Sequence, residues 1–351
     1  MTFVERLSAL GWFLIASAWF LCADLIAGRA AAGLTSGDLQ DPLYRIFLVF
    51  LLGLGYWTMS RLGQRKLDPA RATALVVRPG WFGEFGLGAA IAWAGVIACV
   101  LPAALIGGLV ITAFTNAHQF WIAFLDLVAM AFGTLAIEMV FRGYPFQRLT
   151  EAMGSGIGTL FMAVIYAIWR THGAETTTAA MLVSFFLGWV LALAVLRTRA
   201  LWVSWGFHFA WVAVMGVLFG LPIAGSMSGN ASPVLITNAA GPAWISGGGQ
   251  GPEGSAFAVL VSFLLLFVMA RYTADLKHKY GYPEIVPGGV PVDLDAAATR
   301  QHDAAMAQQA PPPQQTLVQI MPAQPLDSME SAHAEEPVPP QKDQPPTVDP
   351  L

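Results

Sequence analysis

Long apolar runs separated by short polar segments fill most of the chain before residue 280. Eight of these runs approach or exceed the roughly 20 residues that a helix needs to cross a hydrocarbon core of about 30 Å. The pattern predicts an all-α fold, a polytopic membrane helix bundle with about eight transmembrane helices. The predicted spans are 8–28, 44–62, 85–111, 119–141, 155–170, 179–197, 200–220 and 256–272.

The first apolar run is also similar to a signal peptide, because Arg6 precedes it and Ala30, Ala31 and Ala32 follow it. The run is longer than the about 7–15 residues of a signal-peptide core. We therefore interpret it as an uncleaved first helix.

Two segments depart from the helical pattern. Residues 221–255 are rich in Gly, Pro and Ser and show neither a helical nor a strand period, and loops of this length are often functional. From about residue 283 the chain is rich in Pro, Ala and Gln, a composition typical of disorder because it offers too little apolar area for a core. The predicted domains are 1–84, N-terminal transmembrane helices and a basic cytoplasmic loop; 85–272, the membrane core; and 273–351, a cytoplasmic disordered tail.

Composition excludes a water-soluble globular protein. Hydrophobic residues make up 56% of the chain and charged residues 11%, whereas soluble domains contain about 25% charged residues. The formal net charge is only −4, and no basic stripe with interleaved aromatic residues occurs. The expected surroundings are therefore the lipid bilayer, with no nucleic acid partner.

Lys and Arg concentrate on alternate predicted loops. The loop after the second predicted helix carries five of them, whereas residues 112–118 and 221–255 carry none. By the positive-inside rule, we expect both termini in the cytoplasm. We also expect a multi-pass protein of the cell (inner) membrane. Arg170 is the exception, since this orientation places it toward the non-cytoplasmic side. The five loop residues are Arg61, Arg65, Lys66, Arg71 and Arg78.

Two ionisable residues, Glu138 and Arg142, stand near the end of the fourth predicted helix. They are four residues apart, so they share a helix face and can pair directly; Gly143 and Pro145 then break the helix. An ionisable side chain within a bilayer costs about 2.5–3.5 kcal/mol or more, so it marks a candidate functional site. The alternative is a structural ion pair that anchors the cytoplasmic end of the helix.

His208 lies about eight residues into the seventh predicted helix, a depth of roughly 12 Å at a rise of about 1.5 Å per residue. Glu138 lies at a similar depth. The two side chains either share a water or a metal ion or make separate polar contacts between helices. A third polar cluster, Arg170, His172 and Glu175, lies at the end of the fifth predicted helix and can equally be an interfacial loop.

Two further acids, Asp24 and Asp126, lie within predicted spans. Together with Glu138 and His208, Asp126 suggests the proton relay of a transporter. No inverted repeat and no pair of broken helices accompanies these residues, so the transporter is the least supported interpretation.

The candidate residues lie in four ordered segments, EMVFRGYPFQRL, YAIWRTHG, VLRTRALWVSWGFHFAW and GPAWISGGGQGPEGS. These segments resemble the CAAX protease and bacteriocin-processing family, which includes the eukaryotic Ras-converting CAAX endopeptidase. The similarity covers roughly residues 85–272, a CAAX-protease-like membrane core. The resemblance implies an intramembrane endopeptidase that acts on a membrane-bound or lipidated protein or peptide.

The family's first motif is Glu-Glu-x-x-x-Arg, in which a Glu activates water. In this sequence Glu138 is the second Glu and Arg142 is the Arg, but the first Glu position is Ile137. The resemblance implies that Glu138 activates the water and that Arg142 orients it.

The second motif ends in His, and Arg170 stands at that position, with His172 two residues later. Two residues on a helix are about 200° apart, so His172 substitutes only if the backbone breaks before it. In the third motif His208 is present, but Val212 replaces the Asn or Asp. The resemblance implies that His208 polarises the carbonyl or the water.

Two functions follow from this comparison. One is a CAAX-type endopeptidase with Glu138, Arg142, His208 and His172 as catalytic residues. The other is a non-catalytic member of the family, a membrane scaffold or maturation partner, because three expected polar positions are missing. A zinc cofactor has little support, since one His and one Glu are too few ligands for a catalytic zinc, which normally takes three.

Overall fold

A computed structural model describes residues 2–63, 69–113, 117–172, 176–223, 234–273, 299 and 301–306. Within these residues helices dominate and two strands form one small sheet. The helices are α1 (Phe3–Leu34), α2 (Gln40–Leu62), α3 (Pro69–Ala72), α4 (Trp81–Leu105), α5 (Ala117–Arg142), α6 (Tyr144–Met153), α7 (Ser155–Thr171), α8 (Thr178–Thr198), α9 (Trp202–Ala213, continued by a π-helical turn, Val214–Leu218), α10 (Ala243–Ser246) and α11 (Ala256–Tyr272); the strands are β1 (Leu109–Ala113) and β2 (Leu235–Ala239).

The architecture is an all-α polytopic membrane helix bundle, as predicted. Each predicted span coincides with a described helix over most of its length. Large apolar side chains such as Leu21, Phe50 and Phe267 stay exposed, as expected of helices that face lipid rather than water. Five segments are long and apolar enough to cross a membrane, namely Phe3–Leu34, Gln40–Leu62, Trp81–Leu105, Phe120–Met153 and Thr178–Thr198, and two shorter apolar helices are Trp202–Leu218 and Ala256–Tyr272.

The predicted end of the third span, at residue 111, is wrong. α4 ends at Leu105, because Gly107 adopts a left-handed φ of 78°. That conformation terminates a helix, and glycine adopts it without steric cost. The residues that follow form β1 instead.

The segment 221–255 contains regular structure, contrary to the prediction. β2 and α10 lie within it. β2 pairs antiparallel with β1, with Leu109 opposite Ala239 and Ala113 opposite Leu235. No local period reveals this pairing, because the partner strand lies far away in the sequence.

The break after Arg142 follows the prediction from Gly143 and Pro145. A Cβ atom at Gly143 would lie 2.4 Å from the carbonyl oxygen of Met139, so glycine alone permits the sharp turn between α5 and α6. α5 therefore ends at Arg142, one turn after Glu138.

The helix that carries His208, α9, packs on α4 at backbone contact distance. A Cβ atom at Gly206 would lie 2.0 Å from the carbonyl oxygen of Phe85, a close approach that small residues permit between membrane helices. On another face, the indole nitrogen of Trp205 donates a 2.9 Å hydrogen bond to the carbonyl of Ala131 in α5. These contacts set the position of His208 relative to α5.

The chain divides into two compact units, Met1–Tyr282 and Pro283–Leu351. The first contains every helix and strand named above. In the second, the described residues are 299 and 301–306, which are helical, and the rest of the predicted disordered tail lies outside the described residues. The predicted domains 1–84, 85–272 and 273–351 stay predictions.

Candidate active site

Glu138 lies in a buried polar cluster between α5 and α9, and its side chain has no exposed surface. Its Oε1 accepts a 2.9 Å hydrogen bond from Arg142 Nη1 and a 2.8 Å hydrogen bond from His208 Nδ1. Because a carboxylate can only accept, the hydrogen of the neutral imidazole lies on Nδ1, and Nε2 keeps its lone pair. Glu138 therefore holds His208 in one orientation and one tautomer.

Arg142 balances the buried charge of Glu138 and connects three helices. Its side chain is almost completely buried, and the guanidinium lies 4.2 Å from the ring centroid of Tyr166 in α7, within the range of a cation–π contact. Nη2 also donates a 3.4 Å hydrogen bond to the carbonyl oxygen of Gly188 in α8. A buried carboxylate without such a cation would be strongly destabilising.

Tyr166 lies against the other face of His208. Its hydroxyl oxygen is 3.5 Å from His208 Nε2, and its ring packs edge-on against Phe141 with 5.2 Å between centroids. The lone pair of Nε2 and a phenol hydroxyl therefore lie side by side.

A cavity of about 280 Å³ opens beside His208, just below the about 300–1,000 Å³ of typical ligand pockets. His208 and Tyr166 line it, whereas Glu138 and Arg142 lie behind its wall. The lining residues are Arg45, Met130, Gly133, Thr134, Ile137, Tyr166, Trp169, Arg170, His172, His208, Val212 and Ile223.

Residues 118–214, which contain this cluster and most of the cavity wall, match the family model of the Rce1-like type II CAAX prenyl endopeptidases. The chain is CAAX-protease-like. The match confirms the family resemblance predicted from the sequence, over a narrower range than the predicted 85–272. Comparisons with curated proteins and with solved structures give no match.

The three family positions that this CAAX-protease-like chain has not kept come together at the cavity. Ile137, Arg170 and Val212 all line it. Two of the polar groups implied by the family are thus replaced by apolar side chains, and the third is replaced by an arginine. The three altered positions therefore share one cavity wall.

Arg170 is neutralised by Glu253, not by Glu138. Its Nη1 and Nη2 donate to the two carboxylate oxygens of Glu253 at 2.9 and 2.7 Å, and both side chains are buried. Trp211 Nε1 donates to the same carboxylate at 2.7 Å, and Ser184 accepts a 3.2 Å bond from Arg170. This network joins α7, α8, α9 and the turn before α11.

His172 lies at the cavity rim, directly after the end of α7. Its side chain is exposed, and its Nδ1 is 2.7 Å from the carbonyl oxygen of Trp169. The structure therefore brings together Glu138, Arg142 and His208 and leaves His172 apart from them. The catalytic roles of all four stay predictions, and Glu175 lies outside the described residues.

The acids Asp24 and Asp126 do not join the cluster. Asp24 accepts a hydrogen bond from the hydroxyl of Tyr44, and among the described residues nothing hydrogen-bonds to Asp126 Oδ2. No chain of side-chain hydrogen bonds between described residues runs from Asp126 to Glu138, so the structure adds no support for a proton relay.

The donor set does not fit a catalytic zinc. Glu138 and His208 supply two side chains that could ligate a metal, and a catalytic zinc takes about three protein ligands. Within the described ranges, no group of three or more His, Cys, Asp and Glu side chains is placed to hold a metal ion.

Sequence reasoning missed Glu253, Tyr166 as a neighbour of Nε2, and Arg45 as a cavity residue. A signal for Glu253 was present, since it is the only Asp, Glu, Lys or Arg between residues 200 and 270. Glu253 and Arg170 were both expected toward the non-cytoplasmic side, and a charge near the membrane favours a counter-ion, so the two could have been paired from the sequence. No sequence signal connects Arg45 with a cavity on α5, α7 and α9.

Proposed function

We propose that the protein is an intramembrane endopeptidase that hydrolyses a membrane-bound or lipidated peptide, with His208 as the general base. The observation that carries the proposal is the 2.8 Å hydrogen bond between Glu138 Oε1 and His208 Nδ1, with the imidazole at the cavity. A carboxylate that orients an imidazole and stabilises its protonated form makes that imidazole an effective base.

In this mechanism a water in the cavity attacks the carbonyl carbon of the substrate, and His208 Nε2 takes the proton of the water. Tyr166, whose hydroxyl lies 3.5 Å from Nε2, donates a hydrogen bond to the developing oxyanion. The C–N bond then breaks, and the imidazolium returns the proton to the leaving amine. Glu138 acts as a positioning residue, because its buried carboxylate does not line the cavity.

The test is peptide hydrolysis by the full-length protein in lipid vesicles. We expect cleavage of a lipidated peptide by the wild type, a rate at least about 100-fold lower for His208→Gln, as for loss of a general base, and a smaller effect for His172→Gln at the rim. The midpoint of thermal unfolding controls for folding. A His208→Gln variant that folds and cleaves at the wild-type rate would falsify the proposal.

The second candidate is a non-catalytic protein that binds the same kind of segment. The composition of the cavity wall favours this candidate, because three polar positions expected for catalysis are altered. Ile137 and Val212 offer no polar group, and Arg170 is held by Glu253. If the protein is non-catalytic, the wild type should bind the lipidated peptide with measurable affinity and release no cleavage product.

The cavity opens near the start of α2 and the end of α7, where Arg45 and His172 lie. In the predicted orientation these helix ends face away from the cytoplasm, so we expect the site to be reached from that side. A membrane-impermeant maleimide applied to intact cells should label His172→Cys and leave Met153→Cys, at the end of α6, unlabelled, both in a Cys22→Ala background. The reverse labelling pattern would place the cavity on the cytoplasmic side.

A further inference from the structure

The charge of the cavity wall has one sign. Four of the described lining side chains are basic or imidazole groups, and none of the described lining residues is Asp or Glu. Such a wall offers no carboxylate to a cationic ligand, and any of its basic groups that is not compensated would attract an anionic one. The four are Arg45, Arg170, His172 and His208.

Three of these four side chains are already committed to partners. Arg170 is held by both oxygens of Glu253, and His208 is held by Glu138. His172 lies at the exposed rim, in contact with a carbonyl oxygen of its own turn.

Arg45 differs from them. Its Nε donates a 2.9 Å hydrogen bond to Asp41, one helical turn earlier, in a pair that is partly exposed on both sides. An exposed pair between helix neighbours is weak, so it exchanges readily for a ligand inside the cavity.

Gly133 in α5 makes the position of Arg45 possible. A Cβ atom at residue 133 would lie 2.3 Å from Arg45 Nη1, so a larger residue there would displace the guanidinium from its position against α5. Arg45 also lies on α2, outside the matched residues 118–214. Gly133 lies within those matched residues.

We propose that Arg45 binds the C-terminal carboxylate of the peptide that enters the cavity. A guanidinium matches a carboxylate through two parallel hydrogen bonds. The cavity of about 280 Å³ is small for an extended segment and suits the end of a chain. The inference rests on the proposed function in taking the ligand to be a peptide, and it makes Arg45 a specificity residue that selects substrates by their free C-terminus.

The test measures binding, which is independent of hydrolysis. Full-length protein in phosphatidylcholine vesicles is titrated with two lipidated hexapeptides that differ only in a C-terminal carboxylate or amide. We expect the carboxylate peptide to bind about 10- to 100-fold more tightly, the range of a charge-assisted hydrogen bond.

Five variants test whether Arg45 causes this preference. Arg45→Gln should remove it, and Gly133→Ala should reduce it without changing any charge. Asp41→Asn should increase it, because the competing carboxylate is gone, an effect that a merely structural role of Arg45 does not produce. Arg61→Gln, at the other end of α2, should leave it unchanged, and Gly86→Ala, where a Cβ atom meets nothing within 4 Å, controls for a glycine replacement.

Equal binding of the two peptides by the wild type overturns the inference, as does a carboxylate preference that survives in Arg45→Gln. Loss of peptide binding in phosphatidylglycerol vesicles, together with equal affinity for both peptides, would identify an anionic lipid headgroup as the ligand and also overturns it. Hydrolysis without carboxylate preference refutes this inference and leaves the proposed function standing. Carboxylate preference without hydrolysis refutes the proposed reaction and still supports Arg45 as the residue that binds the C-terminal carboxylate.

Discussion

Removing one partner of the Arg170–Glu253 pair is expected to destabilise the protein by about 3–5 kcal/mol, because the other charge stays buried without compensation. Both side chains are buried, the contact is bidentate at 2.9 and 2.7 Å, and Trp211 adds a third hydrogen bond. Glu253→Gln is the sharper variant, since the introduced amide still has an oxygen for the indole of Trp211 while Arg170 loses its counter-charge.

The measurement is the free energy of unfolding in detergent micelles, compared across four variants: Glu253→Gln, Arg170→Gln, the two combined, and Asp41→Ala. Arg170→Gln combined with Glu253→Gln should be less destabilised than either single variant, since no charge is then left unpaired. Asp41→Ala removes an exposed pair with Arg45 and should cost about 1 kcal/mol or less. If Glu253→Gln is as mild as Asp41→Ala, the buried pair does not stabilise the fold in the way described.

Replacing Glu138 with Gln is expected to lower hydrolysis by about 10⁴-fold, as when an amide replaces the carboxylate that orients a catalytic histidine. The amide can donate to His208 Nδ1, which moves the imidazole hydrogen to Nε2 and removes the lone pair that takes the proton of the water. The substitution also removes the negative charge that pairs with Arg142 at 2.9 Å, so we expect some loss of stability.

The measurement is the single-turnover cleavage rate of the lipidated peptide as a function of pH, with Tyr166→Phe beside it. Tyr166→Phe removes one oxyanion donor and should cost about 10²–10³-fold without moving the pH profile. Arg142→Lys keeps the positive charge beside Glu138 and should retain more activity than Glu138→Gln. A rate in Glu138→Gln within tenfold of wild type, at normal stability, would show that Glu138 does not position His208.

Much of the fold could be predicted because a bilayer imposes a simple constraint. Every backbone polar group within the hydrocarbon must be satisfied inside the segment, so long apolar runs become helices. The predictions were wrong where the chain does not form a long apolar helix. Gly107 ended α4 early, and β1 and β2 formed through a pairing between distant segments that no local pattern encodes.

Helix geometry allowed part of the candidate site to be predicted from the sequence. Glu138 and Arg142 had to share a face because they are four residues apart, and the structure shows that ion pair. His208 had the right depth, but whether its face meets that of Glu138 depends on the rotation of α9, which its close packing on α4 at Gly206 decides.

By itself, the sequence determined that the protein is a membrane helix bundle, that it is CAAX-protease-like, and that Ile137, Arg170 and Val212 break the family motifs. Apolar length is sufficient for the first conclusion, and the resemblance of four sequence segments to the family carries the other two. Only the tertiary structure decided that the three altered positions share one cavity, that Arg170 pairs with Glu253, and that Arg45 reaches the cavity wall. Those contacts join residues far apart in the chain, and they depend on how the helices pack, on glycines at the closest approaches, and on the need to neutralise every buried charge.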